Sequence, residues 1–175
     1  MTTAAQTRAR AHLIAAALRC LDIQVRRILD LGCGVGALRR PLLREFRGAT
    51  YLGLETSPYL CKRFGWRRGT VQDVHVRGRF DLVICDDVLQ YLDGRDARRA
   101  IANLRRVCRG ALYFGALTRE DWERNCDRSA THRTPWLRSG GWYRRELGRG
   151  FVPVGMGIWL HRRTPVSLWD LERSR

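Results

Sequence analysis

The chain has 175 residues, 45% of them hydrophobic, which suffices for one packed core and argues against an intrinsically disordered chain. No run reaches the ~18 apolar residues of a membrane span, and the apolar stretch 13–18, flanked by Arg8, Arg10 and Arg19, lacks the form of a signal peptide. The formal charge is +16, almost all of it arginine, so the chain attracts nucleic acid and other polyanions.

Residues 4–21 are predicted to form a helix, with Leu13, Ala16, Ala17 and Cys20 on its apolar face and arginines on the other. It would cover one edge of a sheet. The next stretch is Ile28-Leu29-Asp30-Leu31-Gly32-Cys33-Gly34-Val35-Gly36-Ala37-Leu38. An apolar run reads as a buried parallel strand, and the glycines let the chain turn tightly and let a ligand approach the main chain. Residues 37–46 continue as a helix. Gly32, Gly34 and Ala37 also satisfy the dinucleotide pattern G-x-G-x-x-G/A. Asp30 argues against it, because a carboxylate there repels a pyrophosphate and suits an ammonium group.

A second buried strand, residues 50–55, ends on Glu55, 23 positions beyond Gly32. A carboxylate at that spacing accepts from both hydroxyls of a ribose, or caps the helix that begins at Thr56, Ser57 and Pro58. A short helix over 59–66 and a third strand over 69–75, containing Asp73 and His75, follow. Residues 80–92 combine a strand, the acidic pair Asp86-Asp87, and Val88-Leu89-Gln90-Tyr91-Leu92. Asp93-Gly94 is a turn, 95–107 an amphipathic helix, and 110–117 a fifth strand. Thr118 caps a helix start, and 126–141, with His132, reads as a loop over the site. A short helix over 142–148 precedes two strands, 151–163 and 166–171, turning at 163–165.

The motif Asp30-x-Gly32-x-Gly34-x-Gly36 resembles the first motif of the Rossmann-like (class I) S-adenosylmethionine-dependent methyltransferases, and residues 80–92 resemble that family's fourth strand and loop. The resemblance covers residues 25–117 by motif and the rest by order of elements. It implies an α/β fold, a three-layer α/β/α sandwich. Its seven-stranded, mostly parallel sheet has a C-terminal antiparallel hairpin and helices on both faces. It implies S-adenosylmethionine as cofactor and S-adenosylhomocysteine as product. Asp30, Gly32, Cys33, Gly34, Glu55, Thr56 and Asp86 would line the cofactor site, Asp73 and Val74 would meet the adenine, and Asp86, Asp87, Gln90 and Tyr91 would stand near the methyl group. Methyl transfer needs no fixed general base; Tyr91 and His132 are the candidates if one is used.

The acceptor is left open. There is no Asn/Asp-Pro-Pro-Tyr run and no Pro-Cys pair of the nucleobase-modifying enzymes, which favours a small-molecule oxygen or nitrogen acceptor. An RNA or protein acceptor is the alternative, as is a non-catalytic cofactor-binding module that works with a partner chain; a nicotinamide enzyme is the remotest reading. The charge does not decide, since residues 1–75 and 76–175 each carry +8 and no arm or patch is set apart. Only 133–149 interleave Trp136, Trp142 and Tyr143 with arginines. The six cysteines show no C-x-x-C or metal spacing and read as reduced structural thiols in a single, cytoplasmic domain over residues 1–175.

Overall fold

The computed structural model describes residues 3–127 and 135–169. Strands β1 (Arg27–Leu31), β2 (Thr50–Glu55), β3 (Arg67–Arg68), β4 (Phe80–Asp86), β5 (Cys108–Gly115), β6 (Phe151–Gly155) and β7 (Ile158–His161) form one sheet in the order β3-β2-β1-β4-β5-β7-β6. β1 to β5 pair in parallel, and β7 lies antiparallel to both β5 and β6, so one strand runs against six.

The central strands are apolar on both faces because both are covered. On one face Ile28, Leu82, Ile84 and Ala111 meet α1 (Ala4–Cys20) and α2 (Arg39–Glu45). On the other Leu29, Val83, Cys85 and Leu112 meet α4 (Gly94–Val107) and α6 (Gly140–Gly148). α3 (Pro58–Phe64) and α5 (Arg119–Arg124) are short connectors. α4 shows why these segments are helical: Asp93 caps it by accepting from Asp96 N–H, and Ala97, Ala100, Ile101, Leu104 and Val107 form its buried stripe. No helix among the described residues is long and apolar enough to cross a membrane.

Three expectations are corrected. α1 buries Thr7, Ala11, Ile14, Ala15 and Leu18, a stripe rotated from the expected Leu13, Ala16, Ala17 and Cys20, and it lies on a sheet face, not an edge. The segment 11–18 is apolar nearly all round, so its period leaves the buried face open. Residues 69–75 are not a strand. β3 is only two residues long, and the chain then turns, with an isolated bridge between Thr70 and Asp73. The hairpin turns at Met156-Gly157, not at 163–165. Both residues have positive φ, 51° and 80°, the type I′ geometry that matches strand twist. Val166 and Leu168 instead pack as coil against the α1 side of the core.

The strands' starting ends are stapled by buried Asp81. Its Oδ2 accepts from Arg26 N–H (2.9 Å) and Arg27 N–H (2.8 Å), and its Oδ1 from Arg109 Nε (2.7 Å). The opposite, carboxyl ends of β1, β2, β4 and β5 lie together, where an open parallel sheet places its ligand.

Candidate cofactor and acceptor site

Where β1 ends, Gly32 N–H and Cys33 N–H both donate to Leu54 O (2.9 and 3.1 Å), which swings the chain across the end of β2. Gly32 has φ 74°, and a Cβ there would stand 2.5 Å from Val88 Cγ2, so only glycine fits. At Gly34, φ 53°, a Cβ would meet nothing within 4 Å. That face of the turn is open to a ligand. Trp66 fixes the turn from behind, its Nε1–H donating to Gly34 O at 2.9 Å.

Glu55 closes the turn from β2. Its Oε2 accepts from Gly34 N–H (2.9 Å), and its Oε1 from Thr56 N–H (2.8 Å), Ser57 N–H (2.9 Å) and Thr56 Oγ1–H (3.1 Å). Burial pushes this carboxyl up, but the hydrogen bonds from Ser57, Gly34 and Thr56 outweigh it and hold it below the usual range. The capping role is thus real. It also leaves Oε2 with one donor and a free lone pair for a ligand hydroxyl.

Asp30 differs. It is buried and accepts from the Tyr51 hydroxyl. Burial raises its pKa to about 7 against the pull of that hydrogen bond, with the charges of Asp86 and Glu55 adding to the rise. Asp86, at the end of β4, is also pushed up by burial, which its ion pair with Arg10 opposes. Three carboxylates therefore surround the turn. A bound cation relieves their burial, whereas a pyrophosphate is repelled. The Cys33 thiol is pushed up by burial and then by Asp30 and Glu55, so it lines the site as a neutral group.

Two cavities meet here. The first, about 180 Å³, is lined by Thr7, Asp30, Gly32, Cys33, Arg10 and Asp86 among others. The second, about 370 Å³, shares Arg10 and Asp86 with it and adds Asp87, Ala116, Leu117 and Asp121. Asp87 sits at φ 61°, held by its N–H donating to Gly115 O (2.9 Å) and by Gln90 Nε2–H donating to its Oδ1. Gln90 is buried, and among the described residues its Oε1 has no hydrogen-bond partner.

Of the residues singled out in the sequence, Asp30, Gly32, Cys33, Gly34, Glu55, Thr56 and Asp86 converge on this turn, with Asp87 next to them. Asp73 and Val74 do not join them. Asp73 is exposed, with its Oδ1 3.0 Å from His75 Nε2, and both Asp73 and Val74 line a different cleft. Tyr91 is 42% exposed in the 3₁₀ turn Leu89–Tyr91 and lines neither cavity. His132 lies outside the described residues. Sequence reasoning missed Arg10 and Tyr51. The sequence pattern puts Arg10 on the face of α1 away from the sheet, which the observed rotation turns inward, and no spacing signals a strand tyrosine whose hydroxyl reaches a neighbouring strand.

Comparison with known proteins agrees with this geometry. Residues 29–110 match the family described as "Methyltransferase domain". A malonyl-[acyl-carrier protein] O-methyltransferase of Magnetococcus marinus is 31% identical over 115 residues, covering 57% of this chain and 42% of that protein. A trans-aconitate 2-methyltransferase of Deinococcus radiodurans is 33% identical over 85 residues, covering 44% of this chain and 31% of that protein. The chain thus spans less than half the length of either. Among solved structures, S-adenosylmethionine-bound CalS10, an amino pentose methyltransferase of Micromonospora echinaspora, superposes with a TM-score of 0.67. It is 18% identical, over 90% of this chain and 92% of that one. The glycine turn, the two flanking acids and the 3-2-1-4-5-7-6 sheet thus agree with the match of residues 29–110, just under half of the chain, to the methyltransferase-domain family, and the fold is the one shared with the S-adenosylmethionine-bound methyltransferase.

Proposed function

We propose that the chain binds S-adenosylmethionine and transfers its methyl group to an oxygen or nitrogen of a small-molecule acceptor. The observation that carries this is the meeting of the two cavities at Arg10 and Asp86, one beneath the glycine turn and one beyond the ends of β4 and β5. When bound, the cofactor supplies a methyl carbon already activated by a sulfonium. The residues present fit it. Asp30 would hold the ammonium of the amino-acid tail, Glu55 Oε2 a ribose hydroxyl, and the open face of Gly34 the close approach. Arg10, paired to Asp86, keeps that carboxylate fixed on the wall common to both cavities. In the second cavity Ala116 and Leu117 supply an apolar wall, and Asp87 and Asp121 supply acceptors that orient a hydroxyl or amine. Displacement at a sulfonium carbon is accelerated chiefly by alignment of donor and acceptor, which these walls serve.

The size of the second cavity supports a small acceptor. So do the relatives: a malonyl-[acyl-carrier protein] O-methyltransferase, a trans-aconitate methyltransferase and an amino pentose methyltransferase. Calorimetric titration with S-adenosylhomocysteine, with NAD as control, tests the cofactor: binding of the first alone is expected, and binding of NAD alone overturns the reading. Formation of S-adenosylhomocysteine with a panel of small amines and hydroxy acids tests the acceptor. Turnover on RNA or protein only would overturn the acceptor class, and binding without any turnover would leave a non-catalytic module.

A further inference from the structure

The sheet face that carries α4 holds a third, larger cleft of about 920 Å³, which shares no lining residue with the two cavities above. Its floor is apolar, made by Leu52, Val74, Val76 and Phe80. Around it stand Arg27 from β1, Arg67 from β3, Arg77 from the turn before β4, and Arg99 and Arg106 from α4. Among the described residues Asp73 is the only acid in the lining. The fold thus gathers five guanidinium groups that the sequence scatters between residues 27 and 106, and it makes the basic patch that the linear charge distribution hides.

Two of the five are positioned in advance. Arg27 donates from Nη1 to Arg79 O and from Nη2 to Arg77 O, both at 3.0 Å, and its guanidinium lies 4.4 Å from the Phe80 ring centre. Arg106 donates to Val74 O and to Asn103 Oδ1. Carbonyl partners fix a guanidinium without cancelling its charge. Arg99 is paired with Asp96 at 3.2 Å. Among the described residues Arg67 and Arg77 form no ion pair with a carboxylate. A cleft lined by one sign of charge focuses its field on a counter-ion, and planar guanidinium forks match phosphate oxygens in pairs.

We infer that this cleft binds a compact polyphosphate group, such as the di- or triphosphate of a free nucleotide. Its volume suits a small molecule. Single-stranded nucleic acid is gripped by exposed rings that stack on bases. Of the Phe, Tyr and Trp side chains only Phe80 lines the cleft, and it is 2% exposed and lies against Arg27, while exposed Tyr59, Tyr91 and Trp136 line other surfaces.

Titration of the full chain with inorganic tripolyphosphate at low salt tests the assignment. Saturable binding at one site is expected. The double variant R67A/R77A should weaken it about tenfold or more, since two charge-assisted contacts are lost, and leave S-adenosylhomocysteine affinity unchanged. That second titration keeps the result independent of the proposed cofactor. The charge-matched variant R44A/R47A, whose positions line none of the three cavities, should retain tripolyphosphate binding. No heat with the wild-type chain, or equal weakening in both double variants, overturns the inference. A short single-stranded RNA that binds and is not displaced by tripolyphosphate overturns the choice of a compact ligand.

Discussion

Asp30 is the residue on which the site's acid–base behaviour turns. Its carboxyl has a pKa of about 7, raised first by burial from an ordinary 3.8. Between roughly pH 4 and 7 the folded chain holds more of this proton than the unfolded chain, so its contribution to stability falls as pH rises through that window and is constant above it. The rise corresponds to about 4 kcal/mol, as an order of magnitude. Asp30→Asn removes that penalty and should raise the melting temperature of the ligand-free chain at pH 8. In the same variant S-adenosylhomocysteine binding should weaken, because the carboxylate for the ammonium is gone. The wild-type affinity should rise about tenfold from pH 6 to pH 8 as the carboxyl ionises, and Asp30→Asn should flatten that slope. Titrations of both proteins at the two pH values decide it. Asp30 and Glu55 were legible in the sequence because a carboxylate ending a buried strand must meet either hydrogen-bond donors or a ligand. Arg10 and Tyr51 were not, because their roles depend on which way a helix and a strand residue face once packed.

At the scale of elements, two contacts hold the sheet in register. Burial pushes Asp81 up, but the Arg109 hydrogen bond and the N–H groups of Arg26 and Arg27 hold it below the usual carboxylate range. Its stabilisation is therefore complete above the unfolded pKa of ~3.9 and is lost as pH falls through the lower folded value. Asp81→Ala should cost about 2 kcal/mol at neutral pH by leaving the partly buried N–H groups of Arg26 and Arg27 and the Arg109 guanidinium without their acceptor. Denaturant unfolding at pH 7 and pH 3 should show the difference shrinking in acid. In the C-terminal hairpin Gly157 has φ 80°, and an added Cβ would lie 3.0 Å from Phe114 O. Gly157→Ala should therefore destabilise by about 1–2 kcal/mol, read as a lowered denaturation midpoint with unchanged slope. Helix and strand identities were mostly legible from period and caps, but this turn was not. Met156-Gly157 sits inside an apolar run that reads as one long strand, and its meaning depends on β7 finding β5.

Over the whole molecule, the alternation of strands and helices was enough to anticipate the layered sheet, since each crossover connection leaves few topologies open. The sequence did not reveal the distribution of charge. The counts per half are equal, yet folding sets carboxylates around the glycine turn and arginines around the cleft beside α4. Surface fields are properties of the packed molecule, and only elements already in place can show them.

α1 begins with a capping box at Thr3 and Gln6 but has no acid in its first turn to meet the helix dipole. Beyond that capping box its first turns have little local support, yet they carry Thr7 and Arg10 into the wall of the cavity proposed for the cofactor. Opening of this end breaks the cavity, so a ligand that needs the wall stabilises the helix by mass action. Amide hydrogen exchange over residues 4–11 should slow with added S-adenosylhomocysteine, while exchange in α4, remote from that cavity, should stay as it was.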